Sequence, residues 1–406
     1  MANQPRLKIA LFGLGRLGSI RARIMLYQQP RMELVAACDT KPGADKWAAE
    51  NLPSSVTFFA DPEKCMRESG AQAVLISTAT ATHAPLICLA LDLNLHVMCE
   101  KPISMDIATT QEVIAKAATK PHLKFLIPLT RRYDDNFRAA KRLVDSGSLG
   151  DIHAVETSSQ DKQDESGFFI AFSLQSGGIF VDMGVHDIDV GRFYLNPTAG
   201  LTNPKKQVNR VIAMGQRTLY GALAEFEDFD NAWGTVEFAN GKIMTSHVGR
   251  TTSHGHEGST RILGTKGHSL IDGVATQFQV ELRDEHGVRR AVPPDAFQLY
   301  DRSFPNDLAE FANAVLDGTP LSCCPEDAFE AAKITIALQH SMRIGQPVYF
   351  DDEGLPILLS YNKASTVSNG ANGTAAVNGS NGVKSENGAN TIKSNSLNGA
   401  KAIEVA

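Results

Sequence analysis

Leu7-Lys8-Ile9-Ala10-Leu11-Phe12 runs without a break into Gly13-Leu14-Gly15-Arg16-Leu17-Gly18, and helix-like periodicity begins inside the second half of that string. An apolar strand that stops at GxGxxG and turns straight into a helix presents free backbone N–H groups at the positive end of the helix dipole. Gly13 permits the tight turn, Gly15 lets an anion approach the backbone, and Gly18 lets helix and strand pack closely. A glycine string alone is weak evidence in a chain with 33 glycines. The reading rests on the strand before it, the helix after it and Asp39, 21 residues beyond Gly18. At the end of a second strand, that carboxylate accepts hydrogen bonds from ribose hydroxyls and repels a 2'-phosphate, which favours NAD over NADP. The alternative is that Asp39 merely opens a turn before Pro42-Gly43, and Lys41 softens the preference enough to keep NADP open.

Outward from this turn, short apolar runs at 34–38, 56–59, 73–77, 96–99 and 123–127 alternate with helical patterns at 16–28, 44–51, 82–93 and 107–118. Such alternation predicts a parallel sheet with helices on both faces, a Rossmann dinucleotide-binding domain over residues 1–125. After a helix at 134–146 the pattern changes. Strand-like stretches at 152–158, 208–214, 221–225, 232–238, 243–248, 261–263 and 277–282 follow one another with one strong helical pattern among them. This predicts an α+β domain with a large, mostly antiparallel sheet over 126–363, with a helix at 325–340 packing back on the core. From 364 to 406 the chain holds six Asn-Gly dipeptides and no aromatic residue, the composition of a disordered tail.

The balance of 406 residues, 43% hydrophobic, with 39 basic against 45 acidic side chains, is that of a soluble globular chain. No dense Lys/Arg cluster is present, so nucleic acid is an unfavoured partner. No apolar run reaches the ~18 residues of a membrane span, and no secretion signal is visible. Six cysteines lack CxxC spacing, which fits a reducing cytoplasm and no metal site.

Two further stretches carry chemistry. Glu100-Lys101-Pro102 ends the fifth strand, on the sheet edge where ligands bind, with Pro102 restricting the backbone of the lysine. A solvated surface lysine is the plain alternative. Gly178 to Asp189 reads as a helix on which Asp182, His186 and Asp189 share a narrow arc at 100° per residue. An imidazole beside a carboxylate takes a hydroxyl proton near neutrality while a hydride leaves the same carbon. The competing reading is a buried polar network that pins the helix. No third ligand with metal spacing accompanies the pair.

With these motifs in order, the sequence resembles the glucose-fructose oxidoreductase / inositol dehydrogenase / MocA family, most of all its inositol 2-dehydrogenase branch. The resemblance runs from about residue 7 to 350. It is carried by the glycine turn, Ser77-Thr78 with His83, Glu100-Lys101-Pro102, Thr130-Arg131-Arg132-Tyr133-Asp134 and Gly178 to Asp189. It implies that Lys101, Asp182 and His186 are catalytic. It also implies that Leu14, Arg16, Leu17, Ser77, Thr78, His83, Glu100 and Lys101 join Gly13, Gly15, Gly18 and Asp39 at the cofactor. Asp161, His254 and His256 would meet the substrate together with Lys101, Asp182 and His186. Arg131, Arg132 and Tyr133 support either the cofactor or the domain junction.

Three departures bear on the substrate. A Tyr-Gly-Tyr element of inositol dehydrogenases reads His254-Gly255-His256-Glu257, Ser-Arg-Asp reads Ser159-Gln160-Asp161, and a C-terminal tyrosine is replaced by Asp307. The expectation is an NAD-dependent, homo-oligomeric dehydrogenase of a cyclic polyol, sugar or sugar-like alcohol. A non-catalytic regulator of the same fold and an NADP-dependent ketone or dihydrodiol reductase stand as alternatives.

Overall fold

β-branched and apolar runs of two to seven residues build the first sheet, and each gives way to a turn. The computed structural model describes residues 5–271 and 280–359; the expected tail at 364–406 lies outside the described residues. The strands are β1 (Leu7–Phe12), β2 (Met32–Cys38), β3 (Thr57–Phe59), β4 (Ala73–Ile76), β5 (His96–Cys99) and β6 (Phe125–Leu126). All pair parallel in the order β3-β2-β1-β4-β5-β6. The order reverses between β1 and β4, which opens a crevice beyond their carboxyl ends. Gly13, Asp39, Ser77 and Glu100 each follow one of these strands on that same edge.

The helices are α1 (Arg16–Gln28), α2 (Ala44–Asn51), α3 (Pro62–Glu68), α4 (His83–Asp92) and α5 (Ile107–Ala118), followed by α6 (Asp135–Asp145). α3 escapes the sequence reading because it is short. Its start chemistry is nonetheless visible: Asp61 accepts from the Lys64 N–H at 2.8 Å, and Pro62 occupies the first turn.

The second sheet holds β7 (Ile152–Lys162), β8 (Val208–Gln216), β9 (Asn231–Phe238), β10 (Ile243–Thr252), β11 (Glu257–Gly264), β12 (His268–Ile271) and, after a hairpin of β13 (Glu281–Asp284) and β14 (Gly287–Arg290), β15 (Val348–Tyr349). Its order is β12-β11-β7-β10-β9-β8-β15, antiparallel except for the β7–β10 pair.

Two strand expectations need correction. Residues 221–225 form a 3₁₀ turn, Gly221–Phe226, because the Asp230 carboxylate gathers the N–H groups of Thr218, Leu219 and Tyr220 at 2.7–2.8 Å and curls the chain before it can extend. Of 277–282, residues 277–279 lie outside the described residues, and 281–284 pair only with β14 in an exposed hairpin.

The remaining helices are α7 (Phe168–Ser176), α8 (Val185–Leu195), α9 (Ala296–Leu299), α10 (Ser303–Asp317) and α11 (Pro325–Ile344). α11 packs on β8 and α8 through Ala331, Ile334, Ala337 and Leu338, all fully buried. Each of its large aliphatic side chains contributes roughly 1.5–3 kcal/mol by leaving water. α10 lies against α1 and β1, so a late segment of the chain completes the first layer.

Candidate active site

The glycine turn is built by close approach. Gly13 has φ +89°, and a Cβ there would sit 2.5 Å from the Ser77 carbonyl oxygen; one at Gly18 would sit 1.9 Å from that of Gly13. A Cβ at Gly15 would meet nothing within 4 Å, and α1 begins with no side-chain cap and no acidic residue in its first turn. Its N–H groups therefore face open space, and the Ser77 hydroxyl is buried beside them with no partner. This donor set fits the pyrophosphate of a dinucleotide. Asp39 stands at the rim, accepting from the Leu14 N–H at 2.7 Å and the Lys41 N–H at 2.8 Å. Thr78 accepts from the Thr82 hydroxyl.

His83 departs from the expected contact. Its ring is buried, with Nδ1 2.7 Å from the Pro102 carbonyl and Nε2 3.1 Å from that of Thr78. It braces the loops after β4 and β5. Glu100, beside Lys101, accepts from Arg21 at 2.9 Å.

A cavity of about 420 Å³ opens beside the turn, and Arg16 and Leu17 share its wall with Lys101, Asp182 and His186. The segment Phe180–Gly184 winds as a π-helix before α8 begins. It is held at its start by Asp228, which accepts from Ile179 N–H, and by Gln339, which accepts from Phe180 N–H. The wider π turn breaks the regular spacing on which the common arc of Asp182, His186 and Asp189 depended. Asp189 points instead to Arg132, at 2.6 Å, and is fully buried.

Asp182 does not hydrogen-bond to His186. Its Oδ1 accepts from Lys101 Nζ at 3.2 Å, its carbonyl accepts from the same ammonium at 2.9 Å, and Oδ2 accepts from Arg250 at 2.6 Å. Burial works against the carboxylate, but Lys101 and Arg250 together outweigh it and hold Asp182 below the usual carboxylate range. Burial drives His186 well below the usual imidazole range, helped by the positive charges of Lys101 and Arg131 and opposed by Asp182. Its Nδ1 is buried without a partner.

On the facing wall, His256 Nδ1 lies 2.7 Å from Asp161 Oδ1, and His256 Nε2 is buried with no partner. His254 must be corrected: it does not line the cavity, is half exposed, and pairs with Glu257 at 3.0 Å on the outer turn. Two residues apart on opposite sides of Gly255, the imidazoles point apart. Asp307 also does not line the cavity; it is buried on α10 and accepts at 2.6 Å from Arg21, which donates as well to Glu100. The phenol of this wall comes from Tyr300, whose hydroxyl is buried.

Arg131, expected to support the cofactor or the domain junction, lines the cavity and is locked by Asp187 at 2.7 Å. Other contributors escape the sequence reading. Phe168, Phe169 and Phe172 of α7 form an aromatic side, and the Arg16 guanidinium lies 4.9 Å from the Phe297 ring centre. Arg250 was findable: in β10 the alternating residues 244, 246, 248 and 250 all face inward, and a charged residue at such a position signals a built contact.

Among the described residues no group of three His, Cys, Asp or Glu side chains is placed to hold a metal, and no helix is long and apolar enough to cross a membrane. The glycine cradle and sheet order define a dinucleotide-binding fold, and residues 7–126 match the oxidoreductase family with an NAD-binding Rossmann fold. Residues 137–269 match the GFO/IDH/MocA C-terminal domain. The chain belongs to the GFO/IDH/MocA oxidoreductase family.

It is 28% identical to the uncharacterized oxidoreductase YrbE of Bacillus subtilis, over 83% of this chain and 95% of that one. It is 26% identical to the scyllo-inositol 2-dehydrogenase (NAD(+)) of the same organism, over 86% and 97%. A solved structure of scyllo-inositol dehydrogenase from Lactobacillus casei with bound NAD(H) and scyllo-inositol superposes with a TM-score of 0.78 at 29% identity, covering 85% of this chain and 99% of that one.

Proposed function

We propose that the chain oxidises a secondary alcohol of a cyclic polyol, sugar or sugar-like metabolite to a ketone with NAD. The observation that carries this reading is the shared wall: Lys101, Asp182 and His186 line one cavity with Arg16 and Leu17 of the glycine turn. When bound, NAD accepts the hydride; the remaining work falls to side chains of this chain. An ammonium has three protons, and two of those of Lys101 go to Asp182. The third is free for the reacting oxygen and stabilises negative charge as it develops there. His186, kept neutral by burial, takes the hydroxyl proton. Asp182 stays ionised and fixes the lysine. Asp39 holds the ribose end, which favours NAD over NADP.

The B. subtilis and L. casei relatives act on or bind scyllo-inositol by name. Here His256 with Asp161 would meet a hydroxyl away from the reacting carbon, which makes the substrate a polyhydroxylated ring. The test is NADH formation, followed by absorbance, from NAD and a panel of inositols, aldoses and sugar acids. Turnover of at least one ring polyol is expected; tight NAD binding with no turnover on any of them would favour the non-catalytic regulator.

The same reading includes self-association. Met214 and Trp233 are cross-strand neighbours on the sheet face away from α11, 70% and 43% exposed, with His247 stacked on Trp233. An apolar row of this kind is what a second copy covers. Light scattering after size-exclusion chromatography should give a mass above one chain, and Trp233→Lys should lower it.

A further inference from the structure

Arg250 enters from β10 behind the cavity rather than on its wall, and its side chain is 1% exposed. From there it reaches both aspartates that do line the cavity. One terminal nitrogen donates to Asp182 Oδ2 at 2.6 Å, while Nε lies 3.9 Å from Asp161 Oδ2 and donates to Met183 Sδ at 3.2 Å. Phe169 covers the guanidinium, its ring centre 4.8 Å away. Each aspartate spends its other oxygen on a group facing the cavity, Asp182 on Lys101 and Asp161 on His256. Two carboxylates sharing one low-dielectric site repel each other unless a cation lies between them. Arg250 is that cation: it hydrogen-bonds Asp182 and its charge lies within ion-pair distance of Asp161.

We propose that Arg250 is the positioning residue of this enzyme: a single buried guanidinium ties the reacting end, Asp182 with Lys101, to the recognising end, Asp161 with His256, and sets the spacing between them. The inference rests on the reading of Lys101 and His186 as the reacting groups. It goes beyond that reading because Arg250 acts without touching substrate. Asp182 is faced by Lys101 from the end of β5, by Arg250 from β10, by His186 from α8 and, through Arg250, by Asp161 from β7. Of these, Arg250 alone reaches both acids.

The test compares Arg250→Gln and Arg250→Lys with the native chain in three measurements. These are kcat and KM on the best polyol, NAD affinity by fluorescence quenching, and titration of the Asp182 carboxyl by carbon-13 NMR, assigned by its loss in Asp182→Asn. For Arg250→Gln, a fall of about 100-fold in kcat/KM is expected, with kcat and KM both affected, NAD affinity within about twofold, and the Asp182 titration moved up by about one pH unit or more. Arg250→Lys keeps a buried cation but serves one carboxylate at a time. It should recover kcat to within about tenfold while KM stays raised. Lysine keeps the buried positive charge beside Asp182, so its kcat-against-KM split decides the matter if the glutamine variant does not fold. An unmoved Asp182 titration in a folded Arg250→Gln, or Arg250→Lys with native KM, overturns the proposal. The titration needs no substrate, so it still reads Arg250 if no polyol is turned over and the dehydrogenase reading itself fails.

Discussion

Lys101 Nζ is bound twice by one residue, donating to the carbonyl oxygen of Asp182 at 2.9 Å and to its carboxylate at 3.2 Å. A lysine on a flexible four-carbon stem is thereby reduced to one orientation, with one proton left over. The strand end that carries Lys101 and the π turn that carries Asp182 are 81 residues apart in the chain. Their meeting gives a loop-borne ammonium the rigidity that proton and charge placement demand.

Lys101→Met should therefore lower kcat by about 10³-fold, the range seen when a donor to a developing oxyanion is removed. Dinucleotide affinity should stay within a few fold. Rapid-mixing fluorescence and steady-state turnover on the same sample check both.

His186 sets the acid limb. Since burial holds its native titration well below 6.5, the neutral base persists as pH falls past that value, and kcat/KM for oxidation should stay level from pH 8 to below 6.5. The same depression affects stability. Below 6.5 the unfolded imidazole binds a proton that the native one refuses, so stability falls on acidification by up to ~1.4 kcal/mol per pH unit until the native group also titrates. Chemical denaturation across pH 5–8 should show the native chain losing stability relative to His186→Gln as pH falls, a difference in which the contributions shared by both proteins, that of Asp307 among them, cancel.

The glycines separate folding from binding. A Cβ at Gly15 meets nothing within 4 Å, whereas one at Gly18 runs into the Gly13 carbonyl. Gly15→Ala should fold with a near-native melting temperature yet bind NAD at least about tenfold more weakly, because the methyl fills the space that the pyrophosphate needs. Gly18→Ala should lower the melting temperature itself. Calorimetric melting and NAD titration of both variants distinguish the two effects.

Asp307 offers a pH signature outside the cavity lining. Burial pushes its carboxyl up to about 7, against the pull of Arg21. Between its ordinary value of 3.8 and 7 the native state holds a proton that the unfolded state has released, so stability drops as pH rises through that window. Asp307→Asn should remove this slope, gaining on the native chain by up to ~1.4 kcal/mol for each pH unit; urea denaturation at pH 5 and 7 measures it.

The first sheet was readable in its strand order along the chain, because short apolar runs alternate with helical patterns and β1, β2 and β5 end at a glycine or an acid. The second layer was readable only in outline. Whether 221–225 extends or curls is decided by Asp230, which is close in space and carries no local pattern. In the site, Lys101, Asp182 and His186 were visible from residue type and position, Asp161 and His256 only through the family resemblance, and the structure places all five in one cavity. Their pairings were not visible. Which oxygen of Asp182 faces which cation depends on a π turn that periodicity treats as regular helix. The opposite fates of His254 and His256 depend on a turn at Gly255 with φ +141°. The arginine behind both aspartates lies on the inward-facing alternation of β10, two residues beyond the strand expected at 243–248.

The central claim is that one imidazole takes the alcohol proton while the dinucleotide is held elsewhere. The most direct measurement is turnover and NAD affinity in His186→Gln on one preparation at pH 8. The account requires kcat to fall by about 10²-fold or more with the NAD dissociation constant unchanged. Native turnover in that variant, or lost NAD binding in a folded one, would contradict it.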